Sequence, residues 1–300
     1  ETMSVSTSSS AIPSLGKPEL EYLAEEQMKA FARYDGKDDA NFKVWKFAAY
    51  FLRKKVSFEW LSNDGCILGL SSFVDGTSIP VYDPEGDTVK RRELEGDTIL
   101  LSKDMEHPFV SLSKPRFTLM HECAHHLLHT GYYRHKAATG SGKQVAYSIQ
   151  KDKDEAFSLS QQPWTDDDRL EWQANYFASA LLMPESRVER VMKESGWQEE
   201  YFKYVVAGYG ERSVFHELIR KLSWAFGVSP RMAEIRLDAL KFERLPDLRP
   251  VRSDPWEDFF NPPKKKRMTK EEREWERVEL SWERARERDM EREARRRYVR

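Results

Sequence analysis

Residues 116–129, RFTLMHECAHHLLH, concentrate side chains that can bind a metal ion. His121 and His125 are four residues apart, so on a helix they project from one face, one turn apart. Imidazole nitrogens placed in this way can both reach one Zn²⁺ ion at about 2.0–2.1 Å. Glu122 stands beside the pair, where its carboxylate can accept a proton from water. This H-E-x-x-H spacing predicts a hydrolytic metal site, and a histidine-rich packing helix is the alternative.

Two histidines do not complete a catalytic zinc site, which takes three protein ligands and keeps one position open. A pattern with a glycine and a third histidine after the motif is excluded, because Leu128 and Gly131 hold those positions. The third ligand can instead be a glutamate on a following helix, and Glu171 lies in the helical segment EWQANYFASALLMP. Asn175, one turn further, could hold the far nitrogen of a ligating histidine. From spacing alone, an ordinary solvated carboxylate explains Glu171 equally well.

The site needs two helices, and the sequence predicts both. Ser113 before Lys114-Pro115 indicates a helix start, and this helix should run from residue 115 to residue 129. Thr165 with Asp168 resembles a capping box for a second helix that ends before Pro184. Short apolar runs between turn residues predict strands from residue 66 to residue 102. Further helices are expected at residues 18–34, 40–54, 185–195, 198–206, 211–225 and 230–241.

These elements predict an α+β fold with a zincin-like catalytic domain. In it, a small and mostly antiparallel sheet packs on the H-E-x-x-H helix and on the helix of the third ligand, and a helical subdomain follows. We expect a disordered N-terminus at residues 1–16 and the catalytic domain at residues 17–184, with a polar, irregular surface insertion at residues 131–164. A helical subdomain with a helix-turn-helix-like end should cover residues 185–245. A charged linker and helical tail should cover residues 246–300.

The composition restricts the class of protein. The chain has 300 residues, 39% of them hydrophobic and 33% charged, so a core must coexist with a large solvated surface. The net charge of -2 argues against a general nucleic-acid or membrane binder. We expect no signal peptide and no membrane span, hence a cytoplasmic protein. Cys66 and Cys123 are far apart, which fits a reducing compartment and excludes a disulfide framework.

Three segments resemble, in this order, the ImmA/IrrE family of zinc metallopeptidases. They are RFTLMHECAHHLLH, EWQANYFASALLMP and WAFGVSPRMAEIRLDAL, and the strand region ILGLSSFVDGTSIPVYDP is also similar, so the resemblance spans residues 60–242. By position it implies that His121, His125 and Glu171 are Zn²⁺ ligands and that Glu122 is the catalytic base. It also implies a metallo-endopeptidase whose substrate is a DNA-bound transcriptional repressor, encoded nearby and often on a mobile element.

The chain departs from the pattern of that family at three points. Cys123 stands where leucine is common, and Ala124 where glycine is common. The connection from His125 to Glu171 is longer than the family leads us to expect. Cys123 projects away from the flanking ligands, so we expect it to be a small buried residue.

Several roles stay open. Candidates for a donor to the oxyanion follow the motif in sequence, and His129 has a structural role as an equal alternative. His126 points away from the face of the two ligands and is expected at the surface or in packing. Cys66, in DGCILGLSS, faintly resembles the cysteine motif of peptide deformylases and is the alternative third ligand. The oxyanion candidates are His129, Tyr132, Tyr133 and His135.

Two other function classes compete with the peptidase. One is a non-catalytic regulatory or toxin–antitoxin module of the same fold. The other is a DNA-binding regulator that uses a helix-turn-helix at residues 211–241. Glu234 and Asp238 in the second of these helices argue against DNA, so we expect the helices to pack on the catalytic core and direct nucleic-acid binding to be absent.

Overall fold

A computed structural model describes residues 12–107, 110–140, 144–149, 164–197 and 211–240. The helices in these ranges are α1 (Lys17–Asp35), α2 (Ser113–Leu128), α3 (Thr130–Ala138), α4 (Asp166–Leu182), α5 (Glu185–Glu194), α6 (Glu211–Phe226) and α7 (Pro230–Ala239). The strands are β1 (Lys55–Glu59), β2 (Ile67–Ser72), β3 (Thr77–Asp83), β4 (Thr88–Leu94), β5 (Thr98–Ser102) and β6 (Val145–Ile149). The structure also contains a π-helical turn (Lys46–Phe51) and a 3₁₀ turn (Lys103–Glu106).

The central sheet has four strands in the order β1-β5-β2-β6. Strand β5 pairs in parallel with β1 and antiparallel with β2, and β6 is antiparallel to β2. All five residues of β5 are buried, as expected for a strand covered on both faces. Strands β3 and β4 form a separate antiparallel hairpin. The predicted α+β fold with a small, mostly antiparallel sheet is confirmed.

Helix α2 runs through the core of the fold. Every residue from Thr118 to Leu128 is buried, because α2 contacts the sheet through β2, β5 and β6 and also packs against α4. The predicted helix is confirmed with one correction at its start. Ser113 is the first helical residue and Leu112 occupies the N-cap position, so Ser113 does not cap the helix. Pro115 is compatible with this earlier start, because the backbone N–H groups in the first turn of a helix have no partner within the helix.

The predicted irregular insertion at residues 131–164 is wrong for two of its parts. Residues 130–138 form helix α3, and residues 145–149 form strand β6 of the central sheet. Tyr132 and Tyr133 are buried in a cluster with Phe73, Ala146 and Leu170, which gives this segment its own apolar anchor. Residues 141–143 and 150–163 of the insertion lie outside the described ranges.

The N-terminal segment also differs from expectation. Residues 12–16, predicted to be disordered, lie against the body of the protein. Ile12 packs on the cluster that contains Phe73 and Tyr133, and Pro13 is buried. The apolar side chains of this short stretch explain the difference, because they can bury surface that the Ser/Thr-rich residues before them lack. The predicted helix at residues 40–54 is reduced to the π-helical turn Lys46–Phe51 and its flanks.

Helices α6 and α7 pack on the core that contains α2, as predicted. Leu222, Phe226 and Ile235 belong to the same buried cluster as Leu119 and Cys123 of α2. The Ser229 hydroxyl accepts a hydrogen bond from the Met232 N–H and caps α7, which confirms that helix start. None of the helices in the described residues is long and apolar enough to cross a membrane. The helix predicted at residues 198–206 and the tail at residues 246–300 lie outside those residues.

Candidate metal centre

Three side chains from two helices meet at one point. The Nε2 atoms of His121 and His125 are 3.0 Å apart. The carboxylate of Glu171 in α4 lies with Oε2 3.3 Å from Nε2 of His121 and Oε1 3.3 Å from Nε2 of His125. Among the residues that the structure describes, these three form a group that could hold a metal ion. The structure therefore brings together the residues that the sequence nominated as ligands.

Local sequence explains how the two helices present this group. The four-residue spacing stacks His121 above His125 on one face of α2. Helix α4 starts with the predicted capping box, in which Thr165 and Asp168 satisfy each other's backbone N–H groups. Glu171 is three residues after Asp168, so the first turns of a well-capped helix carry it. Contact between α2 and α4 then sets the third ligand opposite the histidine pair.

The donor set fits a zinc ion. Ligand atoms at about 2.0–2.2 Å from a tetrahedral Zn²⁺ ion are separated from one another by about 3.3–3.5 Å. The separations among the two Nε2 atoms and the nearest carboxylate oxygens are 3.0, 3.3 and 3.3 Å. Two nitrogens and one carboxylate oxygen form a ligand set that catalytic zinc uses. Both histidines are buried, whereas 32% of the Glu171 side chain is exposed, so solvent reaches the group from the side of Glu171.

Asn175 contacts the far nitrogen of His121. Its Oδ1 lies 2.9 Å from Nδ1 of His121, and its Nδ2 donates to the backbone carbonyl of Glu171 at 2.7 Å. Because a carbonyl oxygen only accepts, the amide nitrogen faces Glu171 and the amide oxygen faces His121. His121 therefore carries its proton on Nδ1 and directs the lone pair of Nε2 into the group.

His125 is held by a different contact, which the sequence did not reveal. Its Nδ1 lies 3.0 Å from Nδ1 of His129, and Nε2 of His129 lies 2.9 Å from Oε1 of Gln173. Burial lowers the pKa of His129 to about 3, so this ring is neutral. Both nitrogens of His129 are thus engaged, which removes it from the candidates for an oxyanion donor. Gln173 could have been noticed in the sequence, because it is a polar residue within the apolar stretch of α4, two positions after Glu171.

Glu122 is fully buried beside this group. The Ser71 hydroxyl donates to its Oε2 at 2.7 Å, whereas Oε1 has no hydrogen-bond partner among the described residues. Burial raises the pKa of Glu122 to about 7, against the opposing influence of His121 and of the Ser71 hydroxyl. Gly69 leaves room for this carboxylate, since a Cβ atom there would lie 2.5 Å from Oε1. Sequence reasoning missed both residues of β2, although small residues alternate at positions 69 and 71 of that strand.

The charges in this group depend on one another. Burial opposes ionisation of Glu171, but the nearby imidazoles of His125 and His121 dominate and hold the pKa of its carboxyl well below the ordinary range. Burial also lowers the pKa of His125. For His121, burial acts in the same direction, but contact with Glu171 outweighs it and raises the pKa. The carboxylate is therefore ionised beside two imidazole nitrogens, and it favours a cation there, either a proton on His121 or a metal ion.

Part of the chain matches the model of a known protein family. The peptidase M78 family model, described as the IrrE N-terminal-like domain, matches residues 106–238. Residues 106–238 are thus similar to the IrrE N-terminal-like domain. The match confirms the resemblance to the ImmA/IrrE family over this part of the chain, and it supports a metallopeptidase-like function. No curated protein matches the chain.

The remaining candidates occupy other places in the IrrE-like domain. His126 is buried and packs on the ring of Phe73, with the centroids 4.8 Å apart, so the packing alternative holds for it. The ring of Tyr133 lies 6.2 Å from the ring of His125 and 4.3 Å from that of Phe73. Tyr133 is therefore the candidate oxyanion donor with a ring contact to the group, while His135 is half-buried on α3.

The two cysteines are not part of the candidate centre. Within the described ranges, the group that could hold a metal ion includes His121, His125 and Glu171 but not Cys66. The backbone N–H of Cys66 donates to Oδ1 of Asp64 at 3.0 Å, in the turn before β2. Cys123 is fully buried in the core, as expected, and burial raises the pKa of its thiol. The deformylase-like alternative therefore has no support from the geometry.

Proposed function

We propose that this protein is a zinc-dependent metallo-endopeptidase that hydrolyses a peptide bond in a transcriptional repressor or a similar regulatory protein. One observation carries the proposal. The Nε2 atoms of two histidines and the carboxylate of Glu171 converge within 3.3 Å of their neighbours, with the buried Glu122 beside them, inside an IrrE N-terminal-like domain. A packing helix has no need for such convergence, because placing two buried imidazoles against a carboxylate costs free energy that apolar side chains would not.

In this proposal His121, His125 and Glu171 hold Zn²⁺. The ion, when bound, polarises the carbonyl of the scissile peptide bond and lowers the pKa of water. The fourth position stays open to solvent on the side where Glu171 is partly exposed. Asn175 keeps the ring of His121 in its binding orientation through the hydrogen bond to Nδ1.

Glu122 is the proposed general base. Ser71 fixes its Oε2, so the unpaired Oε1 is the atom that accepts a proton from the attacking water. The water oxygen forms a bond to the carbonyl carbon, the carbon–nitrogen bond then breaks, and Glu122 delivers the same proton to the leaving amine nitrogen. Burial raises the pKa of this carboxyl, so it is a stronger base than an exposed glutamate. A cation bound next to it lowers that pKa again and keeps it ionised near neutral pH.

The first experiment is elemental analysis of the purified protein. One zinc per chain is expected in the wild type and in Glu122→Gln, and a loss of zinc in His125→Ala and Glu171→Ala. His216→Ala is the matched control, because His216-Glu217 begins the same motif but Arg220 stands where a second histidine would be. Zinc retained in Glu171→Ala would exclude Glu171 as the third ligand. No zinc in the wild type after supplementation would overturn the enzyme proposal and leave a regulatory module of the same fold.

Turnover separates the peptidase from that non-catalytic module. Wild type incubated with helix-turn-helix repressors encoded near its gene should yield one new N-terminus, which mass spectrometry identifies. Glu122→Gln should keep zinc and lose this product. Association with a repressor without cleavage, equal in wild type and Glu122→Gln, would favour a module that regulates by contact.

A DNA-binding role for α6 and α7 has less support. Of the two arginines on α7, Arg236 is fully buried and paired with Glu21, and Arg231 donates to the Glu234 carboxylate at 2.7 Å. Both guanidinium groups thus have acidic partners within the protein, which leaves little positive charge for phosphate. Salt-dependent binding of the full chain to duplex DNA would contradict this reading.

A further inference from the structure

The far nitrogen of His125 leads into a chain of hydrogen bonds that ends at the backbone before α1. His125 contacts His129, His129 contacts Gln173, and Nε2 of Gln173 donates to the carbonyl of Pro13 at 2.7 Å. A second carbonyl, that of Leu15, lies 3.4 Å from the same nitrogen. All three side chains are buried, so solvent does not compete for these contacts. We call this series the His129–Gln173 relay.

The direction of the relay follows from its far end. The carbonyl of Pro13 can only accept, so the Gln173 atom beside it is the amide nitrogen, and the amide oxygen faces His129. Nε2 of His129 must therefore carry the proton and donate to Gln173. A neutral imidazole has one N–H, so Nδ1 of His129 is an acceptor and receives the N–H of His125 Nδ1. The lone pair of His125 Nε2 is left facing His121 and Glu171.

A separate contact fixes the same tautomer on the other histidine. Asn175 accepts the Nδ1 proton of His121, and its own direction is set by the backbone carbonyl of Glu171. In both cases an amide side chain of α4 is oriented by a backbone carbonyl. Because a carbonyl can only accept a hydrogen bond, it fixes which end of the amide faces the histidine. The two contacts act on different rings and are oriented by different backbone carbonyls, that of Pro13 and that of Glu171, so the relay is not a by-product of the Asn175 contact.

We propose that His129 and Gln173 are positioning residues that hold His125 in the tautomer and ring orientation needed to bind the metal, with the carbonyl of Pro13 setting the direction of the relay. This inference rests on the proposed function, because it assigns His125 a ligand role. The relay adds no charge to the site, in contrast to the carboxylate that often contacts a ligating histidine. The segment before α1 is thereby a structural part of the metal centre.

Metal affinity tests the relay without any substrate. The dissociation constant of Zn²⁺ is measured on the full chain by competition with a chromophoric chelator. His129→Met and Gln173→Met should each weaken binding by about 10- to 100-fold, the usual cost of losing a contact that orients a ligand. The double variant should lose no more than His129→Met alone, because the two residues act in series. His126→Met is the matched control on the same helix and should bind as the wild type.

A conservative variant separates positioning from packing. His129→Gln can accept the proton of His125 with its amide oxygen and donate to Gln173 with its nitrogen, so it should regain most of the lost affinity. Thermal unfolding of the metal-free variants reports packing. Lower unfolding temperatures in His129→Met and Gln173→Met with wild-type zinc affinity would overturn the proposal, as would equal affinities for His129→Met and His129→Gln.

The tautomers can be observed directly in metal-free wild type. Long-range ¹H–¹⁵N correlation spectra should show the proton on Nδ1 for His121 and His125 and on Nε2 for His129. A proton on Nε2 of His125 would overturn the relay even if zinc binds. If these tautomers are present and the wild type binds no zinc, the proposed function and the positioning role both fail, whereas zinc binding with unaffected variants removes the relay alone.

Discussion

Gly69 offers a direct test of how Glu122 is placed. A Cβ atom at this position would lie 2.5 Å from Oε1 of Glu122 and 2.9 Å from Cγ2 of Thr118. Carbon–oxygen contacts need about 3.3 Å, so Gly69→Ala must displace the carboxylate by about 0.8 Å. A misplacement of about 1 Å at a reacting group can cost about 100-fold in rate. We expect kcat/KM for the cleaved repressor to fall by about 10- to 100-fold.

The same substitution should leave zinc binding intact, because its close contacts are with Glu122 and Thr118 and not with the ligands. It should also reduce the free energy of unfolding by about 1–3 kcal/mol through overpacking. Thr118→Ser in the same chain removes the crowded methyl group and keeps the hydroxyl that donates to the Lys114 carbonyl. The double variant should recover part of the stability but not the activity, because the contact with Glu122 remains.

Three measurements decide this prediction. Elemental analysis gives zinc content, urea unfolding gives stability, and cleavage kinetics give kcat/KM. Wild-type kinetics in Gly69→Ala would refute the reasoning, since they would mean that Oε1 of Glu122 is not the reacting atom. Activity restored by Thr118→Ser would show that the loss came from general distortion of β2.

Three further predictions use single substitutions. Arg236→Met removes the guanidinium group from the half-buried Glu21 carboxylate, which then keeps only the Tyr176 hydroxyl as a donor among the described residues, and urea unfolding should show a loss of about 1–3 kcal/mol with zinc affinity unchanged. The folded-state pKa of Glu122 is raised from 4.5 to about 7, so the protonated carboxyl stabilises the folded, metal-free wild type. This stabilisation is fully present below pH 4.5 and is lost as the pH rises through 7. Glu122→Gln has no such loss. In urea unfolding, the difference in free energy of unfolding between this variant and the wild type should therefore grow to about 3 kcal/mol in favour of the variant by pH 8. A difference that does not change with pH would contradict the burial argument. Ser71→Ala removes a donor to the Glu122 carboxylate, so the acid limb of the pH–rate profile should move to higher pH, and an unchanged profile would contradict that role.

The parts of the site that could be predicted are those that local spacing encodes. His121, Glu122 and His125 lie within five residues, and the periodicity of a helix places them without knowledge of the fold. Asn175 could be nominated because it is one turn from Glu171. Helix starts at Thr165 and Ser229 were likewise set by the residue that accepts the first free N–H groups.

The parts that could not be predicted depend on contacts between distant segments. Ser71 contacts Glu122 from 51 residues earlier in the chain, with Gly69 on the same strand, and Pro13 contacts Gln173 from 160 residues earlier. No periodicity relates such positions, so only the packing of α2 on the sheet and on α4 reveals them. Strand β6 was missed for a similar reason, because its pairing with β2 makes a short, mixed stretch into a strand.

The uneven exposure of the ligands has a consequence for the kinetics of metal exchange. His121 and His125 expose 3% and 0% of their side chains, whereas Glu171 exposes 32%. Among the described residues, Glu171 is the member of this group whose side chain solvent reaches, so we expect an ion to enter or leave past it and the two imidazoles to release the ion last. A peptide bound at the open position would occupy that same route. Occupied enzyme should then exchange its zinc slowly, so a working peptidase would be protected from chelators by its own substrate.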